Sequence, residues 1–225
     1  MIIAIDGPSG AGKSTLGKML AKKLNLLYLD TGAMYRAVGL AVLRAEIDVA
    51  NKEKVIETAG ISDIELVGEP DSLQVLLNGS DVSKEIRTND VSQIASIVSG
   101  ISEVRKNLVE RQRKLGETSV NGAVLDGRDI GTVVFPNADI KFFLTAKPEA
   151  RARRRFEEDL ERGRAVSFEQ TLDEINERDK RDVSREDSPL RIAEDAFVID
   201  TSEMNETEVY EKMLEEIYML KDNNK

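Results

Sequence analysis

A glycine-rich stretch near the start of the chain, residues 7–14, constrains the fold more than any other feature. Its sequence, Gly-Pro-Ser-Gly-Ala-Gly-Lys-Ser, matches the pattern G-x-x-x-x-G-K-S/T at every fixed position. An apolar run at 2–5 precedes it, and apolar residues at helical spacing follow over 13–24. Glycines let the backbone turn its N–H groups inward around an anion, and the following helix N-terminus adds partial positive charge. The motif therefore predicts a strand, a phosphate-binding loop and a helix within a βαβ unit.

This loop predicts the binding of ATP together with Mg²⁺. We expect the ammonium group of Lys13 to reach the β- and γ-phosphates and the hydroxyl of Ser14 to hold the metal. Asp126, which ends a later apolar run, is the second candidate metal ligand. The predicted ATP-binding residues of the loop are Gly7, Pro8, Ser9, Gly10, Ala11, Gly12, Lys13, Ser14 and Thr15.

The loop alone does not show where the phosphoryl group goes. GTPases carry an N-K-x-D motif, but the nearest string, at 51–54, lacks the acid. The string L-S-G-G-Q, typical of ABC-type ATPases, does not occur in the sequence. A kinase would instead need a second anion-binding site made of Arg, Tyr and hydroxyl groups.

The composition narrows the chemistry further. The 225 residues include no Cys and no His, which excludes thiol nucleophiles, thiolate zinc sites, imidazole bases and imidazole metal ligands. Lys and Arg number 32 against 42 Asp and Glu, and this net charge of −10 disfavours binding to a nucleic acid polymer. No apolar run would span a bilayer and no signal peptide is visible, so we expect a cytoplasmic protein without membrane contacts, monomeric by default. The groups that remain suit phosphoryl transfer.

Strand and helix patterns alternate along the chain and predict an α/β fold, a doubly wound sheet of five parallel strands. The predicted strands are 2–5, 26–30, 123–126, 140–144 and 196–200. The predicted helices are 13–24, 34–44 after a turn at 31–32, 52–58, 90–115 and 206–220.

Two segments interrupt this alternation. Short β-like runs flank Asn78-Gly79, a strong hairpin signal, so residues 62–87 are predicted to form a small antiparallel β insert. Residues 148–185 predict a charged helical hairpin broken near Gly163. We therefore expect a single domain over 1–225, with a core of 1–61, 88–150 and 186–225, an insert of about 62–87 and a short helical lid of about 151–185.

Two polar clusters follow apolar strands, one at 30–36 and one at 126–129. Because α/β sheets bind ligands at the carboxyl ends of their strands, both clusters are expected beside the phosphate loop. Tyr35 and Arg36 would present a phenol and a guanidinium group to an incoming phosphate. Arg128 and Asp129 would add a cation and a hydrogen-bond acceptor to the same cleft.

The hairpin is unusually rich in arginine. Residues 151–191 contain ten Arg and one Lys, whereas the rest of the chain contains seven Arg and fourteen Lys. The same segment contains twelve acids, so ion pairs on a solvated surface explain most of these arginines. They do not explain the preference for planar guanidinium groups, which suit phosphates. We predict a mobile lid with Arg154, Arg178 and Arg181 as a clamp on the transferring phosphoryl group.

In combination, these motifs resemble those of bacterial-type cytidylate kinases, within the nucleoside monophosphate kinases. The resemblance covers nearly the whole chain and includes Ser-Lys-Glu-Ile-Arg-Thr at 83–88 and Val-Arg at 104–105. It also includes DGRDIGTVVFP at 126–136 and ERDKRD at 177–182. The small β insert matches the enlarged monophosphate-binding region of this family.

The resemblance implies transfer of the γ-phosphoryl group of Mg·ATP to CMP or dCMP, in pyrimidine nucleotide metabolism. The implied contacts to the acceptor's phosphate and sugar are Thr31, Tyr35, Arg36, Arg128 and Arg185, and Thr31 stands where Ser is common in the family. The implied contacts to cytosine are Ser96, Arg105 and Asp129, and those to the ribose or the transferring phosphoryl group are Arg178 and Asp182. The predicted catalytic residues are Lys13, Arg128, Arg178, Arg181 and Asp182.

The chemistry of the base agrees with this assignment. A carboxylate facing the N4 amino group and an Arg facing N3 and O2 would select cytosine, because the O4 of uracil would leave the carboxylate unpaired. Two alternatives stay open: a kinase for another monophosphate or a small metabolite, and a nucleotide-sensing switch that signals to a protein or RNA partner. The acidic segment 194–225 argues against the switch.

Overall fold

The structure, a computed structural model, describes residues 1–161 and 163–223. Its strands in chain order are β1 (Ile2–Asp6), β2 (Leu27–Asp30), β3 (Ile64–Val67), β4 (Gln74–Leu77), β5 (Ser80–Asp81), β6 (Ala123–Gly127), β7 (Ile140–Thr145) and β8 (Phe197–Asp200). Its helices are α1 (Lys13–Leu24), α2 (Thr31–Arg44), α3 (Lys52–Ile61), α4 (Asn89–Val98), α5 (Ser102–Thr118), α6 (Pro148–Glu161), α7 (Phe168–Ser184) and α8 (Glu206–Asn223).

A parallel sheet of five strands, in the order β2-β6-β1-β7-β8, forms the centre of the fold. Asp30 is paired with Asp126, and Asp6 with Gly127, so Asp30 and Asp6, which end β2 and β1, lie at the same edge of the sheet as Asp126, the last residue but one of β6. The prediction of a doubly wound α/β fold is confirmed. The order of the strands brings the end of β6, with its polar cluster, between the ends of β2 and β1.

The strands are apolar almost throughout because helices cover both faces of the sheet. Ile3 and Ile5 pack on one face in a cluster that includes side chains of α1 and α8. Ala4, between them, packs on the other face in a cluster that includes Val109 of α5. This alternation follows from the period of two in a strand. Each fully buried Ile or Leu side chain contributes about 2 kcal/mol.

A second, three-stranded antiparallel sheet, in the order β3-β4-β5, lies within the predicted insert. The turn between β4 and β5 is Asn78-Gly79, and both residues have positive φ angles, of 51° and 75°. Two such residues match the right-handed twist of a two-residue hairpin, which confirms the hairpin prediction. Val75 and Leu77 of β4 pack into a cluster with Met34 of α2, so the small sheet is attached to the helices beside the site.

Two predictions of local structure are wrong. Residues 90–115 do not form one helix: α4 ends before Ser99 and α5 starts at Ser102, because Ile101 turns to an extended conformation and buries its side chain. Residues 31–32 are not a turn between a strand and a later helix. The carboxylate of Asp30 accepts a hydrogen bond from the backbone N–H of Ala33 at 2.8 Å, and this cap starts α2 directly at Thr31.

The predicted charged hairpin corresponds to α6 and α7, which pack against each other. The hydroxyl of Ser167 caps α7 by accepting a hydrogen bond from the N–H of Gln170 at 3.2 Å, and Oε1 of Gln170 accepts one from the N–H of Ser167 at 3.3 Å. Arg162, one of the ten arginines counted there, lies outside the described residues. Within 1–161 and 163–223, no helix is long and apolar enough to cross a membrane.

Candidate active site

The phosphate loop follows β1 directly, and α1 begins at its Lys13. Gly7 has a φ angle of 147°, and a Cβ atom there would lie 2.0 Å from the carbonyl oxygen of Leu144. Only glycine allows the loop to pass so close to the end of β7. The local sequence therefore dictates the path of the loop, as predicted from the motif.

Lys13 is buried at the base of the loop. Its ammonium nitrogen donates a hydrogen bond to the carbonyl oxygen of Pro8 at 2.6 Å. Burial, and next the neighbouring Arg128, lower the pKa of Lys13 well below its usual value. A bound phosphate would offset this repulsion between cations, so the arrangement favours an anion in the loop.

Asp126, at the end of β6, lies beside the start of α1. The hydroxyl of Ser14 donates to its Oδ2 at 2.8 Å, and the hydroxyl of Tyr28 donates to its Oδ1 at 3.1 Å. Burial, and next the nearby Asp30, raise the pKa of Asp126 to about 6. A cation would remove this penalty, and a hydroxyl with a carboxylate supplies the hard oxygen ligands that Mg²⁺ accepts.

These two oxygen ligands fit a phosphate-loop metal site, where phosphates and water supply the others. A cluster of three or more Asp and Glu that could hold a metal by themselves does not occur among the described residues. The pair of Ser14 and Asp126 therefore suits a metal that arrives with a nucleotide.

The start of α2 forms the neighbouring wall of the cleft. Arg36 forms an ion pair with Asp30 at 2.9 Å, and the hydroxyl of Thr31 donates to the backbone oxygen of Asp126 at 2.6 Å. The first turns of α2 thus hold Thr31 and Arg36 beside the ends of β6 and β2, and Tyr35 of the same turns lies near Arg105. The predicted acceptor-phosphate residues of this segment lie together.

A buried ion pair connects α5 to the segment after β6. The guanidinium group of Arg105 forms this pair with the carboxylate of Asp129 and also donates to the backbone oxygen of Ser99 at 3.1 Å. The central carbon of the same guanidinium lies 5.6 Å from the ring centroid of Tyr35. Ser99 lies in the break between α4 and α5. Two of the three predicted base contacts, Arg105 and Asp129, are thus brought together.

Helix α7 contributes further charged groups to the cleft. Asp182 accepts a hydrogen bond from Nε of Arg128 at 2.7 Å, which joins α7 to the end of β6. Burial, and next the neighbouring Arg128, lower the pKa of Arg178 to about 9. Burial, and next Arg105, lower the pKa of Arg185. The protein alone thus stabilises the charged forms of both arginines poorly, as expected for guanidinium groups that bind an anionic ligand.

The strongest mark of the cleft is a set of unpaired buried polar atoms. Buried side-chain nitrogen and oxygen atoms in proteins are usually hydrogen-bonded. Among the described residues, ten such atoms have no hydrogen-bond partner, and seven of them lie on six predicted acceptor-site residues: Tyr35, Arg36, Ser96, Arg105, Arg178 and Arg185. An unpaired buried donor costs about 1–3 kcal/mol, so these atoms indicate a surface shaped for a polar ligand.

The two remaining clamp candidates lie at the border of the cleft. Arg154 donates to the hydroxyl of Thr201 at 3.1 Å, and this hydroxyl in turn donates to the backbone oxygen of Ala11 at 3.4 Å. Arg181 donates to Oε1 of Gln93 on α4 at 2.9 Å. In the part of the chain that the structure describes, neither arginine hydrogen-bonds to the loop, and their roles stay predictions.

Sequence reasoning missed three residues that shape the site. Tyr28 supports Asp126, and Arg151 donates to the backbone oxygen of Ser9 in the phosphate loop at 3.1 Å. Asp6 ends β1 and contacts the segment after β6. The acid at a strand end was a usable signal for Asp6. Nothing in the sequence distinguished Arg151 from the other arginines of the hairpin.

Comparisons with known proteins show which family the chain is similar to. The sequence pattern of the family described as cytidylate kinase matches residues 3–219. A cytidylate kinase of Caldanaerobacter subterraneus subsp. tengcongensis is 54% identical over 96% of this chain and 93% of its own. One from Bacillus subtilis is 48% identical over 96% of this chain and 95% of its own.

Solved structures agree at the level of the fold. A shikimate kinase from Bacteroides thetaiotaomicron superimposes with a TM-score of 0.50 and 14% identity, covering 99% of this chain and 98% of that chain. At this identity the likeness concerns the arrangement of the sheet and helices alone. With the family pattern along almost its whole length and close relatives at about half identity, the chain belongs to the cytidylate kinase family.

Proposed function

We propose that the protein transfers the γ-phosphoryl group of Mg·ATP to CMP or dCMP, giving ADP and CDP or dCDP. The observation that carries this proposal is the set of buried unpaired polar atoms on the predicted acceptor-site residues. Arg128 and Arg178 lie near enough to Lys13 to lower its pKa, which supports a site in which loop amides and Lys13 bind one anion and guanidinium groups bind the other. This arrangement suits two nucleotides placed with their phosphates together.

On the donor side, the backbone amides of residues 7–14 and Lys13 hold the β- and γ-phosphates. Ser14 and Asp126 hold Mg²⁺, which neutralises phosphate charge when it is bound. Arg154, next to the loop through Thr201, supports the ATP side. The protein contributes alignment and positive charge rather than covalent chemistry.

On the acceptor side, Arg36, Arg128 and Arg185 hold the phosphate of CMP. A phosphomonoester has a second pKa of about 6, so at neutral pH its oxygen is already deprotonated and needs no general base. This oxygen forms the bond to the γ-phosphorus while the bond to the leaving ADP oxygen breaks. The absence of His from the chain is no obstacle to this step.

Base selection is assigned to Asp129 with Arg105 and Ser96. The ion pair between Asp129 and Arg105 is buried. A base whose hydrogen-bonding groups do not match these two side chains therefore leaves a charged group unpaired. The amino group of cytosine donates to the carboxylate, whereas uracil offers an acceptor at that position. Thr31 and Tyr35 complete the wall, and Asp182 with Arg178 faces the ribose or the transferring phosphoryl group.

We further propose that α6 and α7 act as a lid, at about 151–185, and that 62–87 moves with the acceptor site. Arg181 now bonds to Gln93, and Arg164 donates to the backbone oxygen of Arg87 at 2.9 Å. These contacts join the hairpin to the region around α4. Closure over the nucleotides would exclude water that could otherwise accept the phosphoryl group.

The test is ADP release with Mg·ATP and a panel of CMP, dCMP, UMP and AMP. We expect kcat/KM for CMP or dCMP to exceed that for UMP by at least about 10²-fold, because a polar mismatch in a buried site is costly. Asp129→Asn should narrow that gap, while Asp90→Asn, an exposed acid on α4, should not.

Two results would contradict the proposal. A clear preference for UMP would refute the assignment of cytosine to Asp129. Tight ATP binding without ADP formation on any monophosphate would point to a nucleotide-sensing switch instead.

A further inference from the structure

Asp6, at the carboxyl end of β1, holds a segment that is distant in sequence. Its Oδ1 accepts a hydrogen bond from the backbone N–H of Ile130 at 2.8 Å, and its Oδ2 accepts one from Gly131 at 2.7 Å. Asp6 is only 4% exposed. Both oxygens of one buried carboxylate are therefore used on two consecutive amides.

The segment that Asp6 holds is unusual. Residues Ile130–Val134 form a single π-helical turn, and no side chain of its own caps the start of this turn. Such a turn leaves its first N–H groups without intrahelical partners. Asp6, at the end of the neighbouring strand β1, supplies the missing acceptors in place of a local cap.

This turn begins directly after Asp129, whose backbone oxygen accepts from the N–H of Val133 at 2.8 Å. The position of the Asp129 backbone is thus set by the turn, and the turn is anchored by Asp6. The Asp129 carboxylate then meets Arg105 on α5. A shift of the turn by a fraction of an ångström would move Asp129 relative to Arg105.

We propose that Asp6 is a positioning residue for base selection: its two hydrogen bonds to Ile130 and Gly131 hold Asp129 where it faces the acceptor base. The inference rests on the proposed function, because it takes Asp129 as the group that contacts cytosine. Asp6 itself touches no substrate. In this it differs from Lys13 and Ser14, which belong to the phosphate loop after Asp6 and act on the ATP side of the cleft.

The primary variant is Asp6→Asn. It preserves the shape of the side chain but places the NH₂ of an amide, a hydrogen-bond donor, against one of the two backbone N–H donors. We expect KM for CMP to rise about tenfold and the ratio of kcat/KM for CMP over UMP to fall about tenfold. The dissociation constant of Mg·ATP, measured without acceptor, should stay within about twofold of wild type, since the loop keeps its glycines and Lys13.

The matched control is Asp139→Asn. Asp139 also accepts a backbone N–H of β1, from Ile2 at 2.5 Å, but at the opposite end of the strand. This variant should leave the CMP/UMP ratio unchanged. If Asp6→Asn does not fold, Gly131→Ala tests the same turn, because its Cβ would lie 3.0 Å from Cδ of Lys141 and 3.4 Å from Oδ2 of Asp6. It should lower the ratio in the same way.

A double variant, Asp6→Asn with Asp129→Asn, separates positioning from a general effect. If Asp6 acts through Asp129, the double variant should select no worse than Asp129→Asn alone. An additive loss would overturn the inference, as would an ATP dissociation constant that rises as much as KM for CMP. A wild-type enzyme without preference for CMP would refute the proposed function, whereas an undiminished CMP/UMP ratio in Asp6→Asn would refute only the role of Asp6.

Discussion

Arg151 on α6 and Asp179 on α7 form a two-pronged ion pair, with N–O distances of 3.1 and 2.6 Å. The Arg151 side chain is almost fully buried and also bonds to the backbone oxygens of Ser9 and Ala146. One guanidinium group thus joins both helices of the hairpin to the phosphate loop. This contact ties the proposed lid to the ATP side of the cleft.

Asp179→Asn should lower the free energy of unfolding by about 2 kcal/mol, because it leaves the buried charge of Arg151 without its counterion. Urea unfolding measures the change. The matched control is Glu85→Gln, which breaks the exposed pair of Glu85 with Arg44 at 2.7 Å and should cost less than about 1 kcal/mol. Equal losses of unfolding free energy in the two variants would show that the ion pair of Arg151 and Asp179 stabilises the protein no more than an exposed pair does.

Asp126→Asn should lower kcat at least about 10²-fold and raise the Mg²⁺ concentration needed for half-maximal activity, because it removes the charged metal ligand. Steady-state rates over a Mg²⁺ titration provide the measurement. Tyr28→Phe removes a hydrogen bond to the same carboxylate but keeps its charge, so it should change kcat far less. An unchanged Mg²⁺ requirement in Asp126→Asn would contradict the assigned metal site.

Lys13→Met should lower kcat/KM about 10³-fold while the protein keeps or gains stability. The cause is that burial and Arg128 already lower the pKa of Lys13, so its charge destabilises the empty fold. Coupled ADP release and thermal unfolding give the two quantities. Lys23→Met, at an exposed position of the same helix, should alter neither. Retained transfer in Lys13→Met would refute the role of this ammonium group.

Arg178→Met and Arg128→Met should differ in stability although both weaken CMP binding. Burial and Arg128 lower the pKa of Arg178 to about 9, so its removal relieves repulsion and should not reduce the free energy of unfolding. Arg128 is the hydrogen-bonded partner of the buried Asp182, so its removal should cost about 3 kcal/mol. Urea unfolding without nucleotide distinguishes them, and a loss in Arg178→Met as large as in Arg128→Met would contradict this account.

Asp6 should make stability depend on pH. Burial raises its pKa from 3.8 to about 7, against the amides of Gly131 and Ile130, which lower it. The folded chain therefore binds more protons than the unfolded chain between these values. The contribution of Asp6 to stability is fully present below about pH 4 and is lost as the pH rises towards 7.

The Asn side chain of Asp6→Asn does not titrate. The free energy of unfolding of this variant, relative to that of wild type, should therefore rise between about pH 5 and pH 7, by up to about 1 kcal/mol per pH unit. Urea unfolding of both proteins across this range measures the difference. Parallel stability curves would show that the Asp6 carboxyl group does not titrate there.

The sequence alone determined the features that depend on neighbouring residues. The glycines of the phosphate loop, the apolar strands and the Asn78-Gly79 turn each follow from local backbone preferences, and the structure has all three. The acids at strand ends were visible because a parallel sheet places such ends at one edge.

Only the tertiary structure decided the contacts between distant segments. Ser14 and Asp126 are 112 residues apart in sequence, and Asp6 and Ile130 are 124 apart. The break between α4 and α5 arose because Ile101 is buried at the cost of a continuous helix. The sequence does not distinguish Arg151 from the other arginines of the hairpin, whereas in the folded chain it is buried against Ser9 and Asp179. Local patterns specify which elements form, whereas burial of particular side chains against distant backbone specifies which polar groups meet.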